Sequence, residues 1–196
     1  MCWPASLAHD PAAIETLLVT LFLDSHQVAP KELMLDLDAT DDPLHGHREG
    51  RFFHGYYDCY CYLPLYVFCG EQLLAAKLRP SNIDASAGAV EEIARIVRQI
   101  RAHWPDVRII VRADSGFARE ELMAWCEENA VDYILGLGFV PRADIDQRFF
   151  DTPYYISPSD PVGQEAFAVI REAMRQQGPG GAGARRAFQA RAGDGA

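Results

Sequence analysis

Hydrophobic residues recur at Ile14, Leu17, Leu18, Leu21 and Phe22, a spacing that predicts an amphipathic packing helix over residues 12–23, ended before Pro30. The period then changes to two. In Leu33-Met34-Leu35-Asp36-Leu37-Asp38, alternation puts Asp36 and Asp38 on one face of a short strand and Leu35 and Leu37 on the other. After a turn-rich stretch over 39–50, the aromatic run 56–68 and the run 73–78 flank Cys69-Gly70-Glu71-Gln72 and predict a hairpin. Residues 82–88 read as a loop. Over 89–103, Val90, Ile93, Val97 and Ile100 form one stripe with Glu91, Glu92, Arg95 and Arg98 off it, a helix closed by Pro105. A β-branched strand over 107–111 delivers Asp114 at its carboxyl end, and a helix over 119–128 and a strand over 131–137 follow. The order of elements predicts an α/β layered fold.

Composition changes near residue 139. Residues 139–155 are rich in turn formers, 164–176 carry a helical pattern (Ala166, Phe167, Val169, Ile170, Met174), and 179–196 are Gly/Ala/Arg low complexity, expected to be a disordered tail. The domains expected are therefore 1–138, 139–178 and 179–196. With 196 residues, 49% of them apolar, the chain has room for a real core and for one to two domains. No run approaches a membrane span and the first residues lack a secretion-signal pattern, so no membrane association and a cytoplasmic location are expected.

Five cysteines (Cys2, Cys59, Cys61, Cys69, Cys126) show neither a CxxC pair nor a zinc spacing and read as reduced, packed thiols. The net charge of −10 is concentrated in residues 1–138, where 11 Lys and Arg face 21 Asp and Glu. Such a balance argues against a broad electrostatic footprint on DNA but not against an acidic, metal-loaded site.

Two acids, Asp38 and Asp114, stand at the carboxyl ends of two separate predicted strands, where sites of open α/β sheets gather. If the strands are neighbours, the carboxylates repel, and a divalent cation bound by hard oxygen ligands cancels that repulsion. A pair of such ions about 3.5–4 Å apart clamps the attacking and leaving oxygens of phosphodiester cleavage. The alternative is that both acids merely cap strands or helices.

The segments Leu35-Asp36-Leu37-Asp38-Ala39-Thr40-Asp41-Asp42-Pro43-Leu44-His45-Gly46, Phe53-His54-Gly55-Tyr56-Tyr57, Leu63-Pro64-Leu65-Tyr66, Arg79-Pro80-Ser81-Asn82-Ile83-Asp84-Ala85-Ser86 and Arg112-Ala113-Asp114-Ser115-Gly116-Phe117 closely resemble DDE-type insertion-sequence transposases over about residues 9–138. The resemblance implies a partial RNase H-like mixed sheet with flanking helices, DNA (insertion-sequence ends) as partner, and Mg2+ or Mn2+ as cofactor, and it leaves homo-oligomerisation open. It also implies two aspartates and a distant glutamate that nick DNA and use the freed 3′-hydroxyl for strand transfer. Asp38 takes the place of the first acid and Asp114 of the second, both as catalytic metal ligands. Asp36 is the weaker candidate, because the acid just before the small residue and Thr40 is the ligand in the related pattern. Of the later acids, Glu165 and Glu172 follow Gly138 but neither lies in the family's arginine and glutamate helix pattern, so the triad is incomplete.

Residues 139–178, with Phe139-Val140-Pro141-Arg142 and Pro161-Val162-Gly163-Gln164-Glu165-Ala166-Phe167, resemble the interior of bacterial Ku, a family that forms homodimeric rings on broken DNA ends. About 40 residues cannot make a ring. The chain thus reads as a transposase piece joined to a Ku-like piece, ending in a tail consistent with a shifted frame. A Ku-like DNA-end-binding or interaction remnant, or a pseudogene product without function, stands as the alternative. His45, His47 and His54 fit no standard metal spacing. Arg48, Arg51, Arg79, Arg112 and Arg119 read as phosphate contacts or as solvated charges. The aromatic run Phe52, Phe53, Tyr56, Tyr57, Tyr60, Tyr62 and Tyr66 reads as sheet core in preference to a base-stacking platform.

Overall fold

The computed structural model describes residues 10–136 and the short strand at 155–156. Helix α1 (Pro11–Asp24) starts where Asp10 accepts from the amides of Ala12 and Ala13, with a proline in the first turn, whose missing N–H costs nothing there. Its buried side carries Val19, Phe22 and Leu23, while Ile14, Leu17 and Leu21 face outward. The expected stripe is therefore turned. The helix is apolar around most of its circumference, so spacing alone leaves its inward face undetermined.

Strand β1 (Glu32–Ala39) is central and alternates as expected, with Leu33, Leu35 and Leu37 buried. Strands β2 (Asp42–Pro43), β3 (Phe52–His54) and β4 (Cys59–Tyr62) form a separate three-stranded sheet in the order β2-β4-β3. Strands β5 (Leu65–Cys69) and β6 (Gln72–Lys77) make the hairpin, turned at Gly70 with φ +59°. The aromatic run thus divides between two sheets instead of forming one long strand. Pro64, which has no amide to donate, sits at the break, and the amide of Leu63 bonds the Arg79 carbonyl.

Helix α2 (Ala89–His103) precedes β7 (Arg108–Ala113), helix α3 (Glu120–Glu128) precedes β8 (Asp132–Gly136), and β9 (Tyr155–Ile156) returns to the edge. The main sheet runs β6-β5-β1-β7-β8-β9. Strand β5 is antiparallel to both of its neighbours β6 and β1, β1, β7 and β8 are parallel, and β9 is antiparallel to β8. An antiparallel three-strand meander followed by two parallel strands with helical crossovers is the mixed sheet of an RNase H-like core, flanked by helices as expected. The short helical segment and tail expected after residue 156 lie outside the described residues.

All three helices pack on the face carrying Leu35, Leu65, Val67, Val111 and Tyr133, where each fully buried aliphatic side chain contributes about 1.5–3 kcal/mol. Helix α2 buries Ile93, Val97 and Ile100 as expected, and also Glu92, placed off the stripe by its charge. Glu92 is only 3% exposed but accepts from Arg95 and lies 3.8 Å from Lys77, so the carboxylate is compensated. Met34, Tyr66, Phe68, Ile110 and Ile134 alternate onto the opposite face and belong to none of this helix-covered core. Among the described residues, no helix is long and apolar enough to cross a membrane.

Candidate two-aspartate site

Parallel pairing of β1 with β7 sets Leu37 opposite Ala113 as the last registered pair. The next residues along the two strands are Asp38, which alternation puts on the face away from the helices, and Asp114, and both are exposed. Neighbouring strands lie about 4.8 Å apart, so two carboxylates at adjacent strand ends can reach one cation at oxygen distances of about 2.0–2.6 Å. The site exists because of parity. A one-residue slip of β1 would turn Asp38 into the core and Leu37 out of it.

A tight turn aims Asp114: its carboxylate accepts from the Gly116 amide at 2.8 Å, its carbonyl accepts from Phe117, and Phe117 is anchored in the core. Two glycines make room. A Cβ on Gly116 would lie 2.9 Å from Asp114 Oδ1, and one on Gly136 would lie 2.9 Å from the Ser115 nitrogen and 3.1 Å from the Asp114 carbonyl carbon. The clash at Gly136 is with backbone, which cannot rotate away. Gly136→Ala is expected to cost about 1–3 kcal/mol, read as a lower melting temperature.

Behind that turn, residues 79–88 act as a support. Arg79 is buried and donates from Nε to the Leu63 carbonyl at 2.9 Å, and from Nη1 to those of Ala85 at 3.1 Å and Ala87 at 2.6 Å. Burial pushes its pKa down, with Asp84 opposing. Asp84 accepts from the Ser86 hydroxyl at 2.7 Å and from Arg119 at 3.0 Å, tying the loop to the start of α3.

The Asp84 carboxyl is raised by burial, but its bonds from Ser86 and Arg119 outweigh that and hold it below the usual range. Its stabilisation is thus present above the unfolded carboxylate value of about 3.9 and is lost as pH falls through the lower folded one. Asp84→Asn is expected to flatten the fall in melting temperature between about pH 5 and pH 3.

Asp36, the weaker candidate, is held by Arg112 across the register, with one bond from Arg112 Nε and a second from Nη2 to Oδ2 at 2.9 Å. Of the five arginines, Arg79 is a buried structural donor, Arg112 and Arg119 are in ion pairs, and Arg51 donates to the Gly46 carbonyl and bonds His47. Arg79 is thereby corrected from a phosphate contact or solvated charge to a buried structural donor, whereas Arg51, Arg112 and Arg119 keep partial exposure besides these bonds.

Tyr57 was missed as a site residue. Its hydroxyl donates to the Ala39 carbonyl at 3.4 Å, and its pKa is pushed up by burial and then by Asp41, Tyr56, Asp38 and Asp114. Its place beside both acids comes from the small sheet folding back over the end of β1, a contact between residues 18 apart that local pattern does not carry.

Cys59, Cys61, Cys69 and Cys126 are free thiols, and burial, then Glu127, pushes Cys126 up to about 12. Cys2 lies outside the described residues. Among the described residues no group of three or more His, Cys, Asp or Glu converges for a metal.

The mixed sheet, with an acid just past the last registered pair on each of β1 and β7, is the RNase H-like arrangement of this chain. The chain belongs to the family described as "Transposase DDE domain group 1", whose model matches residues 4–154 and so runs past the compositional boundary at 138. The chain is also similar to the non-homologous end joining protein Ku of Methylocella silvestris, 57% identical over 56 residues, or 29% of this chain and 20% of that protein. To Ku of Bradyrhizobium sp. (strain ORS 278) it is 56% identical over 39 residues, 20% of this chain and 13% of that protein. The chain thus spans a fifth or less of the length of these two curated relatives. Superposition on the catalytic domain of Mos1 mariner transposase gives a TM-score of 0.38 at 12% identity, over 97% of this chain and 84% of that one.

Proposed function

We propose that this chain is the first part of a DDE transposase catalytic domain, acting on DNA at insertion-sequence ends, with Asp38 and Asp114 as its catalytic, metal-binding residues. The observation that supports the reading is the parallel register of β1 and β7, whose last pair, Leu37 and Ala113, is followed on each strand by one of the two acids. These two carboxylates would hold Mg2+ or Mn2+, which would supply Lewis-acid polarisation of the phosphodiester. The protein's own contribution is positional: β1 fixes Asp38, the Gly116 amide orients Asp114, and Tyr57 walls one side. With neither Glu165 nor Glu172 in the family's pattern, the reading includes a catalytically incomplete site. Residues 1–138 are the transposase unit, 139–178 a Ku-like segment and 179–196 a tail.

The test is nicking of supercoiled plasmid carrying element ends. Trace, Mg2+- or Mn2+-dependent nicking that disappears in both Asp38→Asn and Asp114→Asn is expected, and nicking that persists unchanged in either variant contradicts the assignment. The second reading, a Ku-like remnant that binds DNA ends, is favoured by the 57% identity over 56 residues. It predicts preference for linear over circular DNA of equal length, measured by competition.

A further inference from the structure

The small β2-β4-β3 sheet carries side chains that neither the core nor the two-aspartate site uses. Phe53 pairs with Tyr60 across the register, and their rings lie 5.5 Å apart at 71°, both turned outward at 52% and 48% exposure. The Arg51 guanidinium lies over Tyr60, 4.6 Å from the ring centre. Cys61, one residue on from Tyr60, is fully buried, and the Phe52 carbonyl accepts from Ser81 at 2.9 Å, so the other face is fastened to the body. This corrects the expectation that the aromatic run is sheet core. Ring contacts continue from His54 to Tyr57 at 4.8 Å and from Tyr57 to Tyr56 at 5.0 Å, and Tyr57 bonds the end of β1 beside Asp38.

We propose that the outer face of this sheet is a stacking platform for unpaired bases of the DNA strand whose phosphodiester is presented to Asp38 and Asp114. The proposal rests on the reading of that pair as a phosphodiester-cleaving site. Charge does not oppose DNA at this surface. In a chain of net charge −10, residues 42–62 carry Arg48 and Arg51, with His45, His47 and His54, against Asp42, Glu49 and Asp58, so a phosphate backbone meets less repulsion here than over the chain's described residues as a whole. Aromatic faces stack on any base that has left its duplex, whereas the bases inside a duplex have no free face to offer. A guanidinium over one ring adds a cationic edge beside the platform for the adjoining phosphate.

The experiment is fluorescence anisotropy of a labelled single strand of about 15 nucleotides with the full chain, at about 20 mM salt in EDTA. Phe53→Ala and Tyr60→Ala are each expected to weaken binding at least about fivefold, Phe53→Tyr to retain it, and a duplex of equal length to bind at least about fivefold more weakly than the single strand. Both rings are half-exposed, so melting temperatures should hold. Equal affinity of the alanine variants, or no preference for the single strand, overturns the proposal. So does a concentration-dependent dimer, seen by sedimentation, that the alanine variants disrupt while DNA affinity stays unchanged; the face then belongs to a second copy. EDTA separates the two readings, because this binding needs no metal while the nicking assay does.

Discussion

Replacing Arg79 with methionine should lower the unfolding free energy by about 3 kcal/mol, read as a shift of the urea midpoint at constant slope. Methionine keeps much of the stem but removes the donors to the carbonyls of Leu63, Ala85 and Ala87. Each buried acceptor stripped of its donor costs about 1–3 kcal/mol. Release of a buried charge whose pKa is already pushed down by desolvation recovers part of that, which sets the expectation at the low end. Against a typical total of about 5–15 kcal/mol the loss is large, and it should propagate to the site because residues 79–88 back the Asp114 turn. A loss below about 1 kcal/mol would show that the three carbonyls find other donors.

Strand transfer by the chain alone should be undetectable. Two carboxylates can hold one cation and orient a water, but in-line displacement also needs the leaving oxygen stabilised, and misplacement by about 1 Å already costs about a hundredfold. Nicking should therefore run at least about a hundredfold below that of a complete three-acid core. Addition of a glutamate-bearing segment as a second polypeptide should recover much of that factor if the pieces dock. Robust metal-dependent strand transfer by the unaided chain would mean that Glu165 or Glu172, both outside the described residues, completes the site.

The strand-end placement of the two aspartates was legible because alternation and strand-end position are local properties: Asp38 falls on the polar face of β1 and Asp114 one residue past β7. That the sheet is mixed followed from the resemblance, and the observed pairing agrees with it. What local pattern missed depends on tertiary contact. Val19 rather than Leu17 faces inward because β6 and α2 pack against α1, and Glu92 is buried because Arg95 and Lys77 meet it. Gly136 looks like an ordinary strand glycine until β8 is placed beside the Asp114 turn. The aromatic run has one composition but two fates, divided at Pro64, and propensity does not say which half lies over the core.

The central claim is that Asp38 and Asp114 together bind a divalent cation, and thermal unfolding of the full chain with and without Mn2+ tests it most directly. At ten times the dissociation constant, binding to the folded state alone adds about 1.4 kcal/mol, or a rise of about 3–6 °C in melting temperature for a chain of this size. The account predicts that rise for the wild-type chain and none for Asp38→Asn or Asp114→Asn. The same rise in either variant, or no rise in the wild type, would contradict it.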